Sequence, residues 1–297
     1  MSRITYFHGC SSHGTAKEYD LSVRKVLNIL GIGVDDIPDW SCCGASSAHT
    51  VNETLSIALP LRNLISAENL QNKVMAVSCA ACYSRHKTTN HELSKSPELL
   101  QKMKSVVPGA SKYSGAMLIK SMLQYFSEDI KPESIRNAVQ TPLTGLRVAC
   151  YYGCLLTRPK EVTCFDSPEY PVSMDKLLES VGAQPTDFDH KTECCGNSFS
   201  ISNTEIIYDL IERIFDSALD SGADIIAVAC PLCQANLDMR QAELEKRKGK
   251  KYSIPTVYFT QLLALAFGIS MNQLEFHRNF VPVIPVLQRV MKTGGRG

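Results

Sequence analysis

"SCCGASS" at residues 41–47 and "ECCGNSF" at residues 193–199 each place two cysteines side by side and follow the pair with a glycine. Neighbouring side chains on an extended backbone point in opposite directions. A single small ion is therefore poorly served by both thiols of such a pair. The chain has 297 residues and twelve cysteines in all, so the two adjacent pairs belong to a larger set that needs one explanation.

The cysteines form one pattern that occurs twice, at an offset of 144 to 152 residues. A lone cysteine is followed by the Cys-Cys-Gly stretch and then by a CxxC motif. The members are Cys10, Cys42, Cys43, Cys79 and Cys82 in the first copy and Cys154, Cys194, Cys195, Cys230 and Cys233 in the second. The flanks repeat as well, since "RITYFHGC" matches "RVACYYGC" and "VMAVSCAAC" matches "IIAVACPLC". We therefore predict a tandem duplication, with domains over residues 1–144 and 145–297.

Short apolar runs alternate with helical patterns in both halves. The runs before each lone cysteine and each CxxC motif have the composition of buried strands. Residues 204–221 place apolar side chains on one helical face and end at Gly222. Residues 117–126 and 260–268 are predicted as further amphipathic helical segments. The alternation predicts an α/β fold made of two tandem, Rossmann-like domains, related by a pseudo-twofold axis, each with a small, mainly parallel sheet. The cysteines are expected on loops at the strand ends.

The composition excludes several classes of function. The net charge is +1, so nothing electrostatic favours nucleic acid or an anionic membrane as a partner. The start of the chain does not resemble a signal peptide, and no apolar segment is suited to membrane insertion. We therefore expect a cytoplasmic protein, in which cysteines stay reduced and clustered thiols serve metal ligation or redox chemistry.

Five cysteines in each half exceed the four ligands of a structural zinc site or of an ordinary [4Fe–4S] cubane. They suit a cluster with inequivalent irons, because the two thiols of an adjacent pair can reach different irons. The glycine after each pair is expected to let the backbone approach the cluster closely. Two alternatives stay open: a scaffold without turnover that binds zinc in both halves, and zinc in only one of the two sites.

The doubled pattern resembles the CCG domain pair of the B subunit of heterodisulfide reductase, the HdrB family. "YGCLLTRP", "ALPLRNL" and "VYFTQLLALAFG" look like family signatures outside the cysteines. The resemblance implies two noncubane [4Fe–4S] clusters, one held by the five cysteines of each copy, that face each other across a substrate cavity. It implies that a disulfide is reduced there to two thiols. The archaeal substrate is the mixed disulfide of coenzyme M and coenzyme B.

The resemblance also implies partners. The chain lacks both the cysteine run that binds ordinary cubanes and a dinucleotide-binding GxGxxG stretch. Electrons are therefore expected from a ferredoxin-like HdrC-type subunit, supplied by a flavoprotein of the HdrA type in a flavin-based electron-bifurcating complex. A second interpretation rests on resemblance to the CCG modules of lactate-, glycolate- and succinate-oxidising enzymes, which relay electrons towards quinone.

Three residues outside the pattern also have predicted roles. His8 is a candidate to donate a proton to a departing thiolate, and its counterpart in the second copy is Tyr152. Cys150 is predicted as a core residue and Cys164 as a surface thiol that is not a ligand.

Arg85 and Lys87 follow the first CxxC motif. They are suited either to an anionic substrate or to a solvated helix face, and the sequence favours the solvated face.

Overall fold

A computed structural model describes residues 2–45, 48–200 and 202–294. The first half contains β1 Arg3–Phe7, α1 Lys17–Ile29, β2 Gly33–Asp36, α2 Ala48–Val51, α3 Glu53–Glu68, β3 Val74–Val77, α4 Ala80–Lys95, α5 Pro97–Val106, β4 Leu118–Ser121, α6 Met122–Glu128 and α7 Pro132–Ala138. The second half contains β5 Arg147–Tyr151, α8 Lys160–Thr163, α9 Ser173–Glu179, β6 Gln184–Pro185, α10 Thr204–Asp220, β7 Ile225–Val228, α11 Pro231–Met239, α12 Gln241–Lys248, β8 Thr256–Tyr258, α13 Phe259–Ala266 and α14 Ile284–Gly294.

Each half contains one four-stranded sheet in which every pairing is parallel. The strand orders, β2-β1-β3-β4 and β6-β5-β7-β8, are the same in the two halves. The predicted pair of duplicated α/β units is therefore confirmed. In both sheets the chain order reverses between the two central strands. Ligands of open parallel sheets bind beyond the carboxyl ends of the strands at this reversal, and here β1, β3, β5 and β7 each lead towards a cysteine motif.

The helical prediction for residues 204–221 is confirmed by α10, whose apolar face is buried and which ends just before Gly222. The prediction for residues 117–126 is wrong in its first part. Leu118–Ser121 forms the edge strand β4, paired in parallel with β3, and the helix begins only at Met122. The Ser121 hydroxyl sets that boundary, because it accepts a hydrogen bond from the Gln124 backbone N–H at 3.0 Å and so caps the helix.

The two halves share one continuous hydrophobic core. Helix α1 packs on α13 and α9 packs on α6, which are equivalent contacts under the predicted pseudo-twofold relation. At this joint the Tyr19 ring stacks on Tyr258 with centroids 4.2 Å apart, and the Ser22 and Thr260 hydroxyl oxygens lie 2.7 Å apart. The boundary predicted at residues 144 and 145 lies between α7 and β5, and the division there into two domains stays a prediction. Within the described ranges, no helix combines the length and apolar character that crossing a bilayer requires.

Candidate functional site

The five cysteines of the first copy lie on three loops at the carboxyl edge of the first sheet. Cys10 begins a single 3-10 turn after β1. Cys42 and Cys43 lie in the connection after β2, while Cys79 is the N-cap of α4 and Cys82 lies in its first turn. The sulfurs of Cys43 and Cys82 are 3.0 Å apart. The structure thus brings the adjacent pair against the CxxC motif.

The second copy repeats this arrangement at the carboxyl edge of the second sheet. Cys154 follows β5, and Cys230 is the N-cap of α11, which has Cys233 in its first turn. The Cys195 and Cys233 sulfurs are 3.5 Å apart. Cys154 interacts directly with Cys194, so all five cysteines of this copy form one group.

The two groups adjoin at Cys79 and Cys230, whose thiols interact directly across the boundary between the halves. Hydrogen bonds from the Cys233 and Cys79 thiols hold the pKa of Cys230 well below its usual value. Donation to Cys230 raises the pKa of Cys79 in turn. Both residues are helix N-caps, where negative charge is favoured, so this environment favours the thiolate form of Cys230.

Each group contains a thiol outside this pair whose pKa lies below its usual value. Hydrogen bonding by the Cys42 and Cys82 thiols lowers the pKa of Cys43 to about 3, although burial opposes the shift. Hydrogen bonding by Cys154 lowers the pKa of Cys194 to about 6. The thiolate is the form that binds metal. The lowered pKa values of Cys43 and Cys194 therefore favour the form of each thiol that can ligate a metal.

The role predicted for the glycine after each cysteine pair stays a prediction. The backbone N–H groups of Gly44 and Gly196 point at the Cys42 and Cys194 sulfurs, 3.4 Å and 3.3 Å away. A Cβ on Gly44 would meet the Ala48 Cβ at 2.7 Å rather than a cysteine. An added Cβ would press on a sulfur at the glycine before the lone cysteine of the second copy. Gly153 has φ +67°, and a Cβ there would lie 3.2 Å from the Cys233 sulfur.

Asn63 and His86 hold the first Cys-Cys loop in place, and the sequence analysis missed both. The Asn63 side chain accepts a hydrogen bond from the Ser41 N–H at 2.8 Å and donates one to the Ser41 carbonyl at 2.9 Å. Asn63 Nδ2 also lies 3.2 Å from His86 Nε2, while His86 Nδ1 lies 2.7 Å from the Cys82 carbonyl oxygen. Burial lowers the pKa of His86. The only sequence signal was the position of His86 one helical turn after Cys82.

The second Cys-Cys loop is held by different residues. Asn236 Nδ2 donates to the Cys195 carbonyl at 2.8 Å, and the Tyr151 hydroxyl donates to the Glu193 carbonyl at 2.6 Å. The two copies therefore share their backbone course but not the side chains that fix it.

His8, Cys150 and Cys164 belong to neither cysteine group. His8 lines a separate cavity of about 310 Å³, with its ring 4.7 Å from that of His13 and 4.8 Å from that of Trp40. Its role as a proton donor stays a prediction. Cys150 is buried within β5 and Cys164 is exposed, as expected for a core residue and a surface thiol.

A cavity of about 490 Å³ lies between the halves, over the second group. All five cysteines of that group line it, together with Tyr152 and the loop after Gly196. The first half contributes the start of α4, including Ala80, Ala81 and Arg85. Lys87 is directed elsewhere, because its ammonium donates to the Ile119 carbonyl at 3.2 Å. The cavity has the size of a small-molecule site.

The donor set in each half is made of cysteine sulfur alone, which is the ligand chemistry of iron–sulfur clusters. Within residues 2–45, 48–200 and 202–294, no three His, Cys, Asp or Glu side chains converge as the ligands of one metal ion would. The sulfurs instead touch in contact groups, as the 3.0 Å separation of Cys43 and Cys82 shows. Gly153 leaves room beside the Cys233 sulfur, since a Cβ there would lie only 3.2 Å from it. The residues present therefore fit a sulfur-ligated cluster.

Comparison with known proteins places these motifs in a family. The model of the CCG cysteine-rich domain matches residues 4–85 and again residues 148–238. The chain is 30% identical to the B subunit of a ferredoxin:CoB-CoM heterodisulfide reductase of Methanosarcina mazei, over 98% of this chain and 97% of that protein. It is 29% identical to an 8-methylmenaquinol:fumarate reductase membrane anchor subunit of Wolinella succinogenes, over 95% and 98% of the two chains.

A more distant relative is a probable glycolate oxidase iron-sulfur subunit of Bacillus subtilis, at 20% identity over 90% of this chain and 55% of that protein. Among solved structures, a hypothetical protein from Helicobacter pylori superposes with a TM-score of 0.75, at 12% identity. That superposition covers 95% of this chain and 52% of the other, and it supports the fold alone.

Proposed function

Because the chain belongs to the CCG cysteine-rich domain family, we propose that it is the iron–sulfur subunit of a disulfide-reducing oxidoreductase complex of the heterodisulfide reductase type. In this proposal Cys10, Cys42, Cys43, Cys79 and Cys82 hold one noncubane [4Fe–4S] cluster. Cys154, Cys194, Cys195, Cys230 and Cys233 hold a second. The disulfide is reduced to two thiols in the cavity between the halves.

The observation that carries the proposal is the contact between the two cysteine groups. The Cys79 and Cys230 thiols interact across the boundary between the halves, and the cavity that exposes the second group also has the first CxxC helix, α4, in its wall. Two independent structural metal sites would have no need to adjoin each other or a cavity. A reaction that consumes two electrons at one bond does need both centres close to that bond.

The overall reaction is RSSR′ + 2e⁻ + 2H⁺ → RSH + R′SH. When bound, the two clusters would supply the two electrons, one from each. The chain's own residues enclose the disulfide, since Tyr152 on one side and the start of α4 on the other form the walls of a small chamber. No free cysteine outside the two groups lines the cavity in the described part of the chain, so thiol–disulfide exchange with a protein thiol is not part of the scheme.

The electrons have to come from outside the two cysteine groups. We propose a ferredoxin-like subunit as the direct donor, which a flavoprotein supplies in turn. The heterodisulfide reductase relatives support this proposal, because their names describe them as subunits of larger complexes. Cys10 and Cys42 are exposed, so the first group is the one accessible from the surface.

A second candidate function is an electron relay towards or from quinone. The 29% identity to a subunit of an 8-methylmenaquinol:fumarate reductase favours it. A relay needs the same clusters but has no use for a cavity that binds thiols, so thiol binding separates the two functions.

The test is metal and sulfide analysis of anaerobically purified protein, followed by EPR under oxidising conditions before and after addition of a thiol. The disulfide reductase is expected to contain about eight irons per chain and to develop a new paramagnetic signal with the thiol. Full iron content without any effect of thiol would support the relay. A colourless protein with two zinc ions would overturn both.

The ligand assignment is tested by substitution. Cys43→Ala and Cys195→Ala are each expected to lower the iron content by about half, because each removes a ligand from one group only. Cys164→Ala is the control, since this thiol is exposed and belongs to neither group. Full iron content in both ligand variants would refute the five-cysteine assignment.

A further inference from the structure

Arg85 is the one formally charged side chain, cysteines aside, among the described residues that line the cavity. It lies on α4 of the first half, while the cysteine sulfurs of the lining belong to the second half. Residues on the two sides of the cavity therefore differ in chemistry: sulfur on one side and a guanidinium on the other. A ligand that spans the cavity can meet both.

In the part of the chain that the structure describes, no Asp or Glu forms an ion pair with Arg85. Two other half-buried arginines are paired, Arg24 with Asp20 and Arg158 with Glu169. A half-buried guanidinium without an acidic partner retains its full capacity to bind an anion, and its planar fork suits oxyanions in particular.

The position equivalent to Arg85 does structural work in the other copy. Asn236 also lies three residues after its CxxC motif, and its side chain is bonded to the Cys195 carbonyl. In the first copy that task belongs to Asn63 on α3. Holding the Cys-Cys loop therefore does not require Arg85, and its side chain is available to the cavity.

Hydroxyl groups also line the cavity. Ser84 precedes Arg85 on α4, and Ser198 and Ser202 come from the loop after the second Cys-Cys pair. Hydroxyls donate hydrogen bonds readily to oxyanions. The volume of about 490 Å³ accommodates a small organic acid but not a protein segment.

We propose that Arg85 is a specificity-determining residue that binds a carboxylate, sulfonate or phosphate group on a thiol or disulfide whose sulfur faces the second cysteine group. This inference rests on the proposed function and assigns the residue of the cavity that selects for an anionic group on the ligand. Neutral thiols of the same length reach the sulfurs but forgo the contact with Arg85.

The experiment uses the iron-loaded chain and two probes of equal length, 3-mercaptopropionate and 3-mercapto-1-propanol. Dissociation constants are measured by anaerobic calorimetry, and EPR of the same samples reports whether the thiol perturbs the clusters. The variants are Arg85→Gln and Arg85→Lys. The control is Arg136→Gln, which removes an exposed arginine paired with Glu133 on α7. Iron content is measured for every variant.

The wild-type chain is expected to bind the anionic probe about 10- to 100-fold more tightly than the neutral one, the range of a charge-assisted hydrogen bond at a partly buried site. Arg85→Gln is expected to remove this preference and to leave the affinity for the neutral probe unchanged. Arg85→Lys keeps the charge but loses the fork, so a partial preference is expected. Arg136→Gln behaves as wild type.

An unchanged preference in Arg85→Gln, at unchanged iron content, overturns the inference, as does the absence of calorimetric binding of the anionic probe to the wild type. If the EPR signal still responds to both probes, the proposed function stands without Arg85. If the anionic probe binds through Arg85 but leaves the EPR spectrum unaltered, the anion site stands and the disulfide reductase proposal fails.

Discussion

Replacing Gly153 by alanine tests whether the glycine before each lone cysteine shapes the sulfur site. Gly153 has φ +67° and a Cβ placed there lies 3.2 Å from the Cys233 sulfur. Gly31 has a similar φ of +70° but nothing within 4 Å of an added Cβ. Both substitutions carry the same backbone penalty, and only one of them presses on a thiol. Gly31→Ala is therefore the matched control.

The backbone penalty for a left-handed alanine is roughly 1–2 kcal/mol. For a chain of this size it should lower the melting temperature of both variants by about 2–4 °C. The contact with Cys233 adds a second effect in Gly153→Ala, because the sulfur must shift by a few tenths of an ångström. Small displacements of groups around a metal site weaken metal binding by roughly 10- to 100-fold. The iron of the second group should consequently be lost sooner.

The assay is iron retained during incubation with a chelator under anaerobic conditions, followed by absorption. Wild type and Gly31→Ala should lose iron at the same rate, while Gly153→Ala should lose about half of its iron early and the rest at the wild-type rate. Gly9→Ala provides an intermediate, since its added Cβ lies 3.5 Å from the Cys82 sulfur, an ordinary contact. Equal retention in Gly153→Ala and Gly31→Ala would refute the reasoning.

Two further substitutions examine the supports of the site. Asn63→Ala removes the hydrogen bonds to the first Cys-Cys loop and leaves His86 Nε2 buried without a partner. The free energy of unfolding should therefore fall by about 1–3 kcal/mol, and iron should be lost from the first group. Chemical denaturation and iron analysis check this prediction, and a variant as stable as wild type would contradict it. Arg278→Ala leaves the buried Glu18 carboxylate unpaired at the joint between the halves. Because Arg278 is partly exposed, the cost should be about 1–3 kcal/mol, below that of a fully buried pair. The same denaturation measurement should show a much smaller cost for Arg136→Ala, which breaks an exposed pair, and equal costs for the two variants would contradict this prediction.

The fold could be predicted from the sequence because the duplication repeats the sequence patterns of its strands and cysteine motifs in both halves. Each buried strand before a cysteine motif occurs twice, and α10 has an apolar face long enough to establish its period. The edge strand β4 was not predicted from the sequence, for the opposite reason. Its four residues show a burial pattern of alternation that is too short to distinguish from the helix that follows it directly. Only pairing with β3 determines its structure.

The sequence could identify the candidate ligands of the site but not their geometry. Cysteine spacing predicted which thiols go together, since loops at the carboxyl ends of neighbouring parallel strands converge. Spacing carries no information on contacts between the copies, so the meeting of Cys79 with Cys230 rested on resemblance alone. Asn63 gave no signal and His86 only its position one helical turn after Cys82, because a buried amide and a buried imidazole are recognised as supports only once their partners are known.

The comparison of positions 85 and 236 shows how a duplicated fold acquires an asymmetric site. After duplication both copies must hold a Cys-Cys loop against a CxxC helix, and in the second copy Asn236, a side chain on that helix, contributes by donating to the Cys195 carbonyl. In the first copy Asn63, on α3, holds the Cys-Cys loop, so the side chain at position 85 is not needed for this purpose. An arginine at position 85 therefore leaves the hydrogen bonds of the loop intact and places a positive charge in the cavity wall. Asymmetric substrates need such a difference, because a cavity with strict twofold symmetry cannot distinguish the two ends of a mixed disulfide.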